Sequence, residues 1–72
     1  MTENARKEAV MHFLGRAIAS TRAGGDLRYL CWDPEDEVVR AYFFGAPMQE
    51  INVACDSEWA MIKDVVEHIR LE

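Results

Sequence analysis

The side chains able to do chemistry in this 72-residue chain are spaced for binding rather than catalysis. Asp33, Glu35, Asp36 and Glu37 put four carboxylates within five consecutive residues, directly after Trp32. Such a cluster attracts cations or imitates phosphate towards a basic protein. It lacks the longer D-x-D-x-D-G pattern of a calcium loop. Trp32 beside it would serve as an apolar anchor, or as a lid on the edge of the core. These five residues are the expected partner-binding stretch. His12, His68, Cys31 and Cys55 are all the histidines and cysteines present, and none has the short paired spacing of a zinc site. His68 follows Asp64 by four residues, which on a helix means surface pairing. Glycine-rich phosphate loops, Ser-His-Asp sets and HExxH motifs are absent from the sequence. The expectation is a protein that is not an enzyme and carries no cofactor or metal.

The elements that must hold these residues follow from periodicity. Met48–Leu71 reads as a strand, a cap and an amphipathic helix. Ile51 and Val53 alternate with Glu50 and Asn52 between Gln49 and Cys55, a half-buried strand. Asp56 or Ser57 suits a helix N-cap, with Glu58 in the first turn. Trp59, Ile62, Val65, Val66 and Ile69 then form an apolar stripe, with Met61 at its edge and Lys63, Glu67 and Arg70 among the polar positions. Trp59 is therefore expected in the core. Earlier, Thr2 is a plausible N-cap, and Val10, Phe13, Leu14, Ala17 and Ile18 recur at helical spacing. Gly24-Gly25 is expected to end that helix through a left-handed residue. Leu27–Trp32 and Glu37–Phe44 are the remaining strands, separated by the Asp33-Pro34-Glu35-Asp36 turn. Gly45-Ala46-Pro47 makes the second turn. The fold class is α+β in the order α-β-β-β-α, a three-stranded antiparallel sheet with both helices on one face, and residues 1–72 form one domain.

Pairing Trp32 with Glu37, and Ala41 with Ile51, divides the sheet into two faces. Leu30, Val39, Ala41, Phe43, Ile51 and Val53 would lie under the helices. Tyr29, Val38, Arg40, Tyr42, Phe44 and Met48 would lie on the other face, with Cys31, Glu50 and Asn52 among them. A free sheet face is ordinarily polar. Tyr, Phe, Met and Arg among these six are types enriched at interface cores, so a homodimer interface is expected there.

Charge narrows the partners. The chain carries a net −5. Residues 1–25 hold four basic and two acidic residues, and residues 26–72 hold four basic and eleven acidic ones. A binder of nucleic-acid backbone needs the opposite sign, so no direct nucleic-acid contact is expected. No apolar run approaches the length of a membrane span, and MTENARKEAV has no signal-peptide pattern. A cytoplasmic protein with reduced thiols, away from the membrane, is the expectation.

Two resemblances accompany this reading. The α-β-β-β-α order is similar to that of the double-stranded-RNA-binding domain, whose second helix begins with basic residues; here those positions are Asp56-Ser57-Glu58-Trp59. The run INVACDSEWAMIKDVVEHI, about a quarter of the chain, resembles a segment of small phage and prophage proteins. That second resemblance implies an accessory protein that binds a host protein, plausibly an anti-CRISPR-type inhibitor of a defence nuclease, in the host cytoplasm. The alternative is a homodimeric structural module without an inhibitory role.

Overall fold

A computed structural model describes residues 2–69. Its order is α1 (Glu3–Ala19), β1 (Leu27–Asp33), β2 (Val38–Phe43), β3 (Ala46–Asn52) and α2 (Glu58–Ile69). The sheet is antiparallel in the order β1-β2-β3, so β1 and β3 are its edges. The α+β architecture expected from the periodicity is therefore present. Arg70 and Leu71, assigned above to the last helix and its stretch, lie outside the described residues.

Helix α1 starts where Thr2 Oγ1 accepts from the Ala5 amide at 3.1 Å. Its buried face is Lys7, Met11, Gly15 and Ile18. The expected stripe was rolled away from this one: Val10 and Leu14 flank the core, Ala17 is exposed, and Phe13 is 70% exposed. Gly15 explains the difference. A Cβ there would stand 3.1 Å from the Leu30 amide nitrogen, so the helix backbone sits down on β1 with its smallest residue inward. Lys7 lays its stem in the core and holds its ammonium 5.3 Å from the Trp32 ring centroid and 3.3 Å from Glu3. The helix also ends earlier than expected, at Ala19. The Ser20 and Thr21 hydroxyls donate to the carbonyls of Ala17 and Ile18, at 2.7 and 2.6 Å. Hydroxyls close this end, without a left-handed glycine.

Both hairpin registers differ from the expected ones by two residues. Trp32 faces Val39 and Leu30 faces Ala41; Val39 faces Ile51 and Ala41 faces Gln49. An even shift leaves every side chain on its face. The buried set Leu30, Trp32, Val39, Ala41, Ile51 and Val53 is consequently the helix-covered face. The strands are bounded differently too. Left-handed Gly45 (φ 74°) allows a turn of Phe44 and Gly45 alone, so β3 begins at Ala46, with Pro47 tolerated on an edge. Glu37 (φ 53°) belongs to the first turn rather than to β2. Cys55 (φ 64°) lies beyond β3, in the turn before α2.

Ser57 caps α2, accepting from the Ala60 amide at 3.2 Å. Met61 and Val65 are fully buried, with Ile62 and Ile69 packed beside them. Trp59 is 74% exposed, contrary to the core position expected for it. It stands two residues before Met61, about 200° around the helix, and so points away from the sheet. Arg6 binds Glu58 through two nitrogens at 3.0 and 3.1 Å, tying α1 to α2. Among the described residues, no helix is long and apolar enough to cross a membrane.

Candidate functional surface

Among the described residues, no helix lies on the second face of the sheet, and its two ends differ in chemistry. One end gathers carboxylates around a single cation. Arg40, in the middle strand, pairs with Asp33, with Asp36 at 2.9 Å and with Glu50 at 3.0 Å. The alternation of β2 points the Arg40 side chain outward. The cross-strand registers put Glu50 opposite it, and the turn folds Asp33 and Asp36 back over it. Asp33 Oδ1 also accepts from the Glu35 amide at 2.9 Å and the Asp36 amide at 3.3 Å, an Asx turn. The hydrogen bond from Arg40, followed by that from the Glu35 amide, holds the Asp33 carboxyl below the usual carboxylate range. The same bonds push the Arg40 guanidinium further into its charged form. Glu35 and Glu37 remain exposed, in no ion pair with another described residue.

The other end is aromatic. Tyr29 and Tyr42 face each other across the strands and stack, with centroids 4.6 Å apart and planes at 23°. The guanidinium of Arg28 lies 5.9 Å from the Tyr29 ring and 5.3 Å from the Phe44 ring. Phe44 is 66% exposed, and Met48 is exposed nearby in sequence on β3. Val38, Arg40 and Tyr42 are half-buried.

The expected site residues thus separate. Asp33, Glu35, Asp36 and Glu37 do share the β1–β2 turn. Trp32 does not join them as an exposed anchor: it is 93% shielded by the core, below Lys7, because its position on β1 alternates inward. It acts as the lid. Of the six residues expected to form a dimer interface, Tyr29, Val38, Arg40, Tyr42 and Met48 alternate onto the helix-free face, and Phe44 lies in the turn between β2 and β3. Sequence reasoning missed Arg28 and the pairing of Glu50. Even spacing from Leu30 put Arg28 under the helices. The register irregularity between Leu27 and Tyr29 frees it instead. A charged residue at a core-facing position was the available signal for that bulge.

A second polar site joins the turn before α2 to α2 itself, through Asp56 and Asp64. The Asp56 carboxyl is held above the usual range, first by its hydrogen bond with the Asp64 carboxyl and then by burial. Its Oδ2 is buried with no hydrogen-bond partner among the described residues, and so is the indole nitrogen of Trp32. Among the described residues, no three His, Cys, Asp or Glu side chains converge to hold a metal ion. Cys31 and Cys55 are free and exposed.

Comparison with protein-family models, with curated proteins and with solved structures returned no match.

Proposed function

We propose that this chain is a small, non-enzymatic binding protein of phage type. Its acidic turn occupies a basic surface of a host protein. In its sharpest form the target is a nucleic-acid-binding groove of a defence nuclease such as a CRISPR–Cas effector. The observation behind this reading is the array of Asp33, Asp36 and Glu50 ordered on Arg40, with Glu35 and Glu37 left outward. Three carboxylates on one guanidinium, with two more exposed in the same turn, leave that end of the sheet strongly negative. Ordering them in advance lowers the entropy cost of binding. Opposed potentials steer encounter with a basic groove and fix its orientation.

The test is a plasmid-interference assay in bacteria carrying defined CRISPR–Cas systems. The chain should restore transformation against at least one system. Replacing Glu35 and Glu37 together by Gln should reduce that effect while leaving the Arg40 network and the fold in place. Protection equal to that of the parent would show the acidic turn to be irrelevant. Raised salt should weaken binding to the purified target, since the charges act over about 8 Å at physiological ionic strength.

The exposed aromatic end favours a second reading, a homodimeric accessory module joined through Tyr29, Tyr42, Phe44 and Met48. Light scattering at micromolar concentration then gives twice the 8.3 kDa chain mass, and Tyr42→Glu returns the monomer. A monomer throughout that range refutes it.

A further inference from the structure

The sheet has two edges, and they are not equally protected. On β3, Pro47 has no amide hydrogen to offer, Gln49 is engaged by His68 at 2.8 Å, and Glu50 is tied to Arg40. On β1 the bulge at Arg28 interrupts the pairing with β2 only near the start of the strand. From Tyr29 to Asp33 the strand pairs regularly with β2 and has no proline. Among the described residues, no other strand pairs with its outer side. Alternate backbone amides and carbonyls there face outward, a ready template for another strand.

Beside this edge runs a groove of about 470 Å³, floored by Leu30 of β1 and walled by α1. Ala5 and Ala9 leave it open, and Phe13 stands at one side, 70% exposed. Glu8 and His12 line it as well, from the same helix. Small residues facing an unpaired strand leave room for an apolar side chain carried by an added one.

We propose that the outer edge of β1 takes an extended peptide of a partner protein as a fourth, antiparallel strand, with its apolar side chains in the groove under α1. A second copy of this chain does not fit the same seam. Neighbouring strands lie about 4.8 Å apart, whereas packed helices need about 8–10 Å between axes. Since α1 stands on β1 itself, a copy paired edge to edge would drive its own α1 into this one. A lone strand brings no helix. Charge selects its ends: Arg28 marks the start of the edge, and Asp33 with exposed Glu35 marks its end. An antiparallel peptide therefore carries a basic residue near its amino end and an acidic one near its carboxyl end. This surface shares Tyr29 and Cys31 with the helix-free face and Asp33 and Glu35 with the acidic turn; strand addition itself rests on the unpaired edge and the groove, not on the function proposed above.

The probe is a fluorescein-labelled peptide, Arg-Val-Thr-Leu-Thr-Val-Glu, matching the seven residues of β1 in length. Anisotropy should show saturable binding, and amide resonances of Tyr29–Asp33 and of Ala5–Phe13 should shift. Ala9→Arg, which fills the groove from a helix surface, should weaken binding by about tenfold or more. Two N-methylated peptides, one modified on Val, Leu and Val and the other on both Thr, should differ sharply. Only one set of amides faces β1, so one peptide binds like the parent and the other does not. Equal binding by both overturns strand addition. So does the absence of saturation up to roughly 1 mM, or a shift pattern centred on Tyr42 and Phe44. A chain that is dimeric until Ala9→Arg makes it monomeric would show that a second copy occupies the edge, against the proposal.

Discussion

Replacing Gly24 by Ala isolates one steric demand of the fold. Gly24 is buried where the chain leaves α1. A Cβ there would lie 2.5 Å from Ile18 Cγ2, 2.6 Å from the Ile18 carbonyl oxygen and 3.0 Å from Thr21 Oγ1. The methyl of Ile18 has little room, because Ile18 is itself 98% buried. Its carbonyl cannot retreat freely either, since it accepts from the Thr21 amide at 2.9 Å and the Thr21 hydroxyl at 2.6 Å. Overpacking of this kind costs about 1–3 kcal/mol. Gly25 is the control: its added Cβ would meet only carbonyl oxygens at 3.4 and 3.8 Å, an ordinary contact. Either substitution removes a similar amount of unfolded-chain entropy, about 0.4–1 kcal/mol in favour of folding. That gain cancels in the comparison, so the two variants should differ by the steric cost, about 1–3 kcal/mol. Gly25→Ala should be slightly more stable than the parent, and Gly24→Ala less stable. In a domain of this size the gap corresponds to roughly 5–20 °C in melting temperature. Far-ultraviolet circular dichroism during thermal and urea unfolding measures it. A Gly24→Ala variant melting at or above Gly25→Ala would refute the packing argument.

Two further outcomes follow from the core and from the carboxyls. Trp59→Ala should change stability by less than about 0.5 kcal/mol, whereas Met61→Ala should cost about 2–5 kcal/mol; similar urea midpoints for the two would contradict the orientation of α2. The Asp33 carboxyl is held low, so its stabilisation is present above the ordinary carboxyl range and lost as pH falls through its lowered value. The Asp56 carboxyl is held high, so its contribution is present below that range and lost as pH rises through its raised value. Asp56→Asn should therefore be stabilising at pH 7 and progressively less so towards pH 4, and Asp33→Asn should be destabilising at pH 7 with a shrinking effect in acid. Melting temperatures across that range test both signs; curves parallel to the parent's would sink the assignment.

The sequence revealed most about the sheet, because strand faces depend only on odd and even positions. Both registers were misplaced by two, and the faces were still right wherever the pairing is regular. Helix orientation was less legible. Apolar spacing in α1 counted Phe13 as core and ignored Gly15, whereas close approach to β1 made the glycine the better inward residue. In α2 the same counting put Trp59 on the apolar stripe and Met61 at its edge, although Met61 and Val65 are the residues it buries. The acidic turn could be read as a cluster of charges, but its division into paired and free carboxylates depended on Arg40 and Glu50 being brought to it across the strands. Arg28 escaped notice because a bulge breaks the alternation on which the reading relied.

The two left-handed residues outside glycine also have an energetic meaning. Glu37 and Cys55 each adopt a conformation that disfavours their side chains, at roughly 1 kcal/mol or more apiece. They flank the same end of the sheet, where the Val53 amide donates to the Glu37 carbonyl at 3.1 Å. A hairpin that formed one register too early or too late would carry other residues into these positions and would separate that donor from its acceptor. The strain at these two residues therefore counts against the native alignment, and the burial of Val39 with Ile51, together with the Val53–Glu37 hydrogen bond, is what outweighs it.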